Sequence, residues 1–282
     1  MRIIVFILLL ISTASFGQSG EVYQIYTNKG KKVSFEKMVS SLSTQDIVLF
    51  GEYHNNSIGH WLQLEFTKAM HKKRDLMLGA EMFEADNQEG LTAYVKGNSD
   101  EEQLKKDVRL WNNYKTDYKP LVEFAKEKQL DFVATNVPRR YASLLFKKGM
   151  TALDTLSMKE KNWIAPLPFP YDGSLPGYQK MLTMFEDHKD ENLPKAQAIK
   201  DATMAHFIIV NKRESSLFLH YNGSYHSDNQ EGIVWYLKQY VTNLKIGTIT
   251  MVESDNVEQF DKKNLDLANF IIVIDANILK SF

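Results

Sequence analysis

Short, nearly unbroken apolar runs alternate along this chain with longer segments whose apolar residues recur every three or four positions, and the two periods predict different elements. The short runs lie at 46–50 (DIVLF), 76–80 (LMLGA), 131–135 (DFVAT), 216–221 (SLFLHY), 246–252 and 270–274 (FIIVI). Strands covered on both faces show no polar alternation, so these six read as neighbours in a buried, largely parallel sheet. Segments 58–73, 101–114, 120–128 and 197–211 carry helical spacing. Strand and helix in turn along a chain is the pattern of βαβ units. The expected fold is therefore α/β: a single domain with a largely parallel central sheet flanked by helices, plus a helical excursion around 140–205. Segment 163–178 (WIAPLPFPYDGSLPGY) breaks the rhythm with four of the seven prolines and with Trp163, Phe169, Tyr171 and Tyr178. Proline at that density is incompatible with a helix interior or a central strand, which leaves an ordered loop stitched by aromatics or a lid over a site.

Composition narrows the classes. Arg2, the apolar run 3–11 and the small residues around Ser15 and Gly17 read as a secretory signal, 1–17, cleaved after Gly17. The run is about half of the ~20 residues a membrane span needs. What remains, 18–282, is expected as one exported, periplasmic domain with no stable membrane anchor. There is no cysteine, so neither disulfides nor thiolate metal sites nor an N-terminal lipid anchor are available. With 34 basic against 35 acidic side chains there is no basic excess to attract nucleic acid. The densest basic run, His71-Lys72-Lys73-Arg74, suits a helix C-terminus.

Polar motifs fall where strands end. The run at 46–50 leads into Gly51-Glu52-Tyr53-His54, and 76–80 into Glu81-Met82-Phe83-Glu84. Likewise 131–135 leads into Asn136-Val137-Pro138-Arg139, and 216–221 into Asn222-Gly223-Ser224-Tyr225-His226. In a parallel sheet those ends share one edge, where open α/β sheets bind ligands. The Gly-x-x-His pattern occurs twice: glycine permits a sharp departure from the sheet, and the imidazole three residues on is aimed back over the crevice. Such a histidine serves as metal or haem ligand, as acid–base group, or as a structural hydrogen-bonding residue. Glu81 and Glu84, beside a buried strand, need a cation, and the choices are Arg139 or Arg140, a metal, or a protonated histidine. Glu52 is placed to orient His54, and His60 either faces the site or ties down local backbone. His206, His220, Met181, Met184 and Met204 read as core or surface residues. One enzyme reading follows: a hydrolase using His54, Glu81 and His226, around a divalent metal such as zinc or as a metal-free acid–base set.

The motifs GEYHNNSIGH, GAEMFE, NVPRR, AQAIKDATMAH and NGSYH, in this order between Val48 and Leu237, resemble the ChaN-like haem-binding proteins. That family sits in the wider superfamily of Tiki metalloproteases and erythromycin esterases. The resemblance implies an α/β fold, export, haem as ligand and a role in haem or iron uptake or storage. It places the first motif on Gly51, Glu52, His54 and His60, the acidic motif on Glu81 and Glu84, and later motifs on Asn136, Pro138, Arg139, Gln197, Asp201, Gly223 and His226. It further implies a tyrosine iron ligand assisted by histidine, across a homodimer. Tyr171 and Tyr178 of the proline-rich loop are the candidates, with Tyr53 and Tyr225 as alternatives, and Arg139 and Arg140 are candidates to pair with propionates. The family includes lipoproteins, which this cysteine-free chain cannot be.

Overall fold

The computed structural model describes residues 20–184 and 191–281; the expected signal, 1–17, lies outside the described residues. In chain order the elements are β1 (Tyr23–Thr27), β2 (Lys32–Val33), α1 (Phe35–Leu42), β3 (Ile47–Glu52), α2 (Ser57–His71), β4 (Leu76–Glu84), α3 (Gln88–Val95), α4 (Glu101–Asp107), α5 (Lys119–Lys128), β5 (Asp131–Asn136), α6 (Arg139–Lys148), α7 (Met158–Lys161), α8 (Pro176–Met184), α9 (Asn192–Asn211), β6 (Leu217–Gly223), α10 (Ile233–Tyr240), β7 (Ile246–Ser254) and β8 (Phe270–Asp275). The strands form one sheet in the order β2-β1-β8-β7-β3-β6-β4-β5. From β8 to β5 every pairing is parallel, and the antiparallel hairpin of β1 and β2 closes the β8 edge.

Alternate residues of each strand feed two separate layers, as the pleat requires. Val48, Phe50, Leu78 and Leu219 pack against Leu62, Phe66 and Met70 of α2 and Leu121 and Val122 of α5. Ile47, Leu49, Met77 and Phe218 face Ile199, Ala202 and Ile208 of α9 and Val234 and Leu237 of α10. Each such burial contributes roughly 1.5–3 kcal/mol, which is why the six strands read as continuous apolar runs.

One expectation changes and one alternative is decided. The helical spacing over 101–114 yields only α4, because Arg109 leaves the helix to bond Glu84 (Nε to Oε2, 2.8 Å) and Asp86, while its N–H donates to Asn87 Oδ1 (3.0 Å). Beyond it, a π-type turn, Tyr114–Tyr118, replaces regular helix. The proline-rich segment is the ordered loop stitched by aromatics: its prolines are exposed, while Ile164, Ala165 and Phe169 are buried beside α9 and α10. Its backbone is tied down by Ala165 N donating to Thr203 Oγ1 (3.0 Å) and by Tyr236 Oη donating to the Pro170 carbonyl (2.8 Å). Among the described residues no helix is long and apolar enough to cross a membrane.

Candidate functional site

Because β6 lies between β3 and β4, the carboxyl ends of three strands meet at one edge. Glu52 pairs in register with Gly223, and Ala80 with Tyr221. After Ala80 the register against β5 shifts, so that Glu84 rather than Met82 stands opposite Asn136. A bulge of this kind re-aims a side chain. Here the irregular stretch carries Glu81, whose Oε2 accepts from Gly223 N (2.7 Å) and whose Oε1 lies 3.1 Å from His226 Nε2.

The two glycines of the Gly-x-x-His motifs prove to be strand residues, and the reason for each lies in the opposite turn. A Cβ on Gly223 would stand 2.8 Å from His54 Nε2, and a Cβ on Gly51 would stand 2.9 Å from Ser224 Cα. Each glycine is small so that the other motif can close over it.

Two polar arms meet at this junction. In the first, buried Glu52 accepts from Tyr118 Oη (2.7 Å) and Gln63 Nε2 (2.6 Å) and pairs with His54 Nδ1 (2.8 Å). His60 works behind this arm, its Nε2 donating to the His54 carbonyl (3.1 Å). Asn113 Nδ2 donates to the same carbonyl (2.9 Å), and the Trp111 ring stands edge-on to His54 at 5.0 Å. Burial alone would lower the His54 pKa, but the Glu52 hydrogen bond and the charges of Glu81 and Glu52 hold it above the ordinary histidine value. Glu52 is held low in return: burial, which would raise it, is outweighed by His54, His60 and Tyr118.

In the second arm buried His226 lies between two carboxylates, with Nδ1 2.5 Å from Asp201 Oδ1 and Nε2 3.1 Å from Glu81 Oε1. Burial would lower its pKa, yet Glu81 and Asp201 push it up to about 9, so the ring is an imidazolium at neutral pH. Glu81 is held well below the usual carboxylate range, the charge and hydrogen bond of His226 outweighing its burial. Asp201 is raised, because there burial prevails.

Above the arms lies an open cavity of about 570 Å³ lined by Tyr53, His54, Met181, Lys200, Tyr225 and His226, with Glu52, Glu81 and Gln197 in its walls. His54, Glu81 and His226 thus come together as the sequence suggests. Glu84 does not join them: it pairs with Arg109. Arg139 is exposed and Arg140 bonds Asp86 (2.7 Å), and neither lines the cavity. His60 is a support rather than a wall. Tyr171 stacks on Tyr178 at 5.7 Å, and Tyr178 is buried with its phenol donating to Asp201 Oδ2 (2.9 Å). Burial and the Asp201 charge push the Tyr178 phenol far above its ordinary pKa, which opposes a ligand role. Tyr178→Phe is therefore expected to cost about 1–3 kcal/mol of stability, by leaving a buried carboxylate oxygen unpaired, and to leave any ligand spectrum unchanged. Urea unfolding and absorption spectroscopy on one preparation measure both.

Among the described residues no group of three His, Asp or Glu side chains is arranged to hold a metal ion. His226 illustrates why, since both ring nitrogens already face carboxylates. Of the α9 residues that build the site, the family resemblance points to Gln197 and Asp201 but not to Lys200; the signal for it is a polar stripe at helical spacing within the largely buried α9.

Over residues 38–237 the sequence matches the model of a family described as haem-binding uptake, Tiki superfamily, ChaN. The chain belongs to the ChaN family. A solved structure of ChaN from Campylobacter jejuni, described for cofacial heme binding, is 17% identical with a TM-score of 0.68, covering 91% of this chain and 98% of that one. A succinoglycan biosynthesis protein superposes at TM-score 0.55 with 9% identity, covering 89% and 93%. A Bacillus cereus protein does so at 0.54 and 9%, covering 88% and 93%. These likenesses establish the shared fold. No curated protein sequence matches the chain. The matched region of the ChaN family model contains both Gly-x-x-His motifs, the Glu81 bulge and α9, so the whole cavity lies within it.

Proposed function

We propose that this chain binds ferric haem in the cavity between the two histidine turns, as an exported protein of haem or iron uptake or storage. The observation that carries the reading is Tyr53 in a ChaN-family cavity: it lines the space, and no hydrogen bond to its phenol is seen among the described residues. Tyr225, the other lining tyrosine, is committed to the Gly177 carbonyl (2.5 Å). A tyrosinate is a hard anionic ligand suited to ferric iron. Burial raises the pKa of Tyr53, so the free protein keeps its phenol neutral, and Tyr53 would hold ferric iron only by giving up that proton. The cavity volume falls within the ~300–1,000 Å³ of small-molecule sites, and the Tyr53 and Tyr225 rings with Met181 offer apolar contact. The cavity is open, so one chain leaves part of a flat ligand uncovered, which supports closure by a second copy in a homodimer.

Titration of the apoprotein with ferric haem is expected to give a saturable Soret shift at micromolar protein. Tyr53→Phe should abolish the tyrosinate charge-transfer band and weaken binding roughly tenfold or more, the scale of a lost charge-assisted contact. Absence of a saturable shift in the unaltered protein would remove the haem reading.

One observation favours a second reading. Glu52 fixes His54 through Nδ1, while Nε2 lies near Gly223 at the cavity floor, the arrangement of a general base with its orienting carboxylate. A metal-free hydrolase would use His54 in that role. Turnover of ester or amide substrates that is lost in His54→Ala and unaffected by chelator would favour it.

A further inference from the structure

One cation at the cavity lacks a direct partner among the described residues. Glu52 faces His54 and His60, and Glu81 and Asp201 share His226, so every carboxylate at the site already faces an imidazole. Lys200 is the remaining charged group in the wall, half-buried on α9, one turn after Gln197, and no hydrogen bond or ion pair of its ammonium is seen among the described residues. Its field reaches Glu81, whose own oxygens are occupied by His226 and Gly223 N. A long cation ordinarily swings to a free carboxylate on the surface; this one lines a cavity whose acids are all engaged. The arginines first expected to meet carboxylates are elsewhere, Arg140 on Asp86 and Arg139 exposed outside the cavity.

We propose that Lys200 is the carboxylate-recognising residue of this site. A ligand bound there would place an anionic arm against α9, leaving Tyr53 and His54 to meet the rest of it. The assignment deepens the haem reading and rests on it, because it says which end of an asymmetric, carboxylate-bearing porphyrin meets which wall. An ammonium is a point charge that can follow a flexible arm, whereas a guanidinium would demand a fixed bidentate geometry. Positioning beside engaged acids also gives selectivity: an uncharged ester in the same place would leave the ammonium unpaired.

The test is a four-way comparison of ferric haem and its dimethyl ester, titrated into the unaltered full chain and into Lys200→Met. The ester keeps the ring and iron and loses only the carboxylate charges. The unaltered protein is expected to prefer haem by roughly ten- to hundredfold, the range for a hydrogen bond to a charged group. Lys200→Met should lose that preference through weaker haem binding alone, with ester affinity unchanged, which also shows that the variant is folded. Lys200→Arg should restore part of the preference. If the unaltered protein binds both porphyrins equally, or if Lys200→Met keeps the full preference for haem, the assignment is overturned while haem binding stands. If neither porphyrin binds the unaltered protein, the haem reading fails and this assignment goes with it.

Discussion

His226→Ala should destabilise the fold by about 3–5 kcal/mol, the scale seen when one partner of a buried ion pair is removed. The variant leaves Glu81 and Asp201, both buried, facing each other with no imidazolium between them. Relief is available only by taking up a proton or by admitting water. The pH dependence identifies the cause. His226 rises from its ordinary 6.5 to about 9 on folding. A raised cationic pKa stabilises fully below the unfolded value and loses that contribution as pH climbs through the folded one. At about 1.4 kcal/mol per unit, this part of the difference is on the order of 3 kcal/mol. Glu81 has the opposite sign: its depressed pKa stabilises above the ordinary carboxylate value and is lost as pH falls. Urea unfolding of both proteins from about pH 5 to about pH 10 should therefore show a gap that is widest near pH 6 and shrinks toward alkaline pH. A gap that stays constant across that range would mean His226 acts by filling space.

How much of this was visible in the sequence follows from what each signal encodes. The six parallel strands stood out because both faces of each are buried, leaving runs such as Ile47–Glu52 and Phe270–Asp275 with little polar interruption. The hairpin of β1 and β2 escaped notice: Tyr23–Thr27 is short, with only Ile25 and Tyr26 buried, and Lys32–Val33 is too short to carry a pattern. β4 runs on past Ala80 to Glu84 because Glu81 finds His226 and Glu84 finds Arg109, partners separated by 145 and 25 residues that no local window can pair. Convergence of His54, Glu81 and His226 was legible from strand ends alone, since parallel strands put those ends on one edge. The part played by Tyr178 was not. Aromatic density marked the proline-rich segment, but density reports burial as readily as ligand contact, and there Tyr178 serves Asp201. Lys200 sits on a helix whose neighbouring positions are apolar, so its place in the cavity wall depends on how α9 docks against β5 and α10.

Gly232→Ala should cost more than the loss of a flexible turn would suggest. Gly232 has φ 52 and ψ −121, a conformation that side chains avoid, and it immediately precedes α10. A Cβ there would stand 2.3 Å from the His226 carbonyl oxygen, 2.9 Å from its carbon and 3.3 Å from Asp201 Oδ1. The first two are backbone atoms of the residue at the centre of the second arm, so the methyl cannot be accommodated by turning a side chain. Gly97→Ala separates the causes: Gly97 also has a positive φ, 79°, but nothing lies within 4 Å of the added Cβ. That variant should lose about 1 kcal/mol, the conformational cost alone. Gly232→Ala adds the displacement of His226 to a strain of about 1–3 kcal/mol, so a total loss above roughly 3 kcal/mol is expected. Moving His226 also loosens its bond to Asp201, and the alkaline decline of stability should then start at lower pH than in the unaltered protein. Equal losses in the two variants would show that the His226 turn yields freely at Gly232, and that the Asp201–His226–Glu81 arm is not held in place by the start of α10.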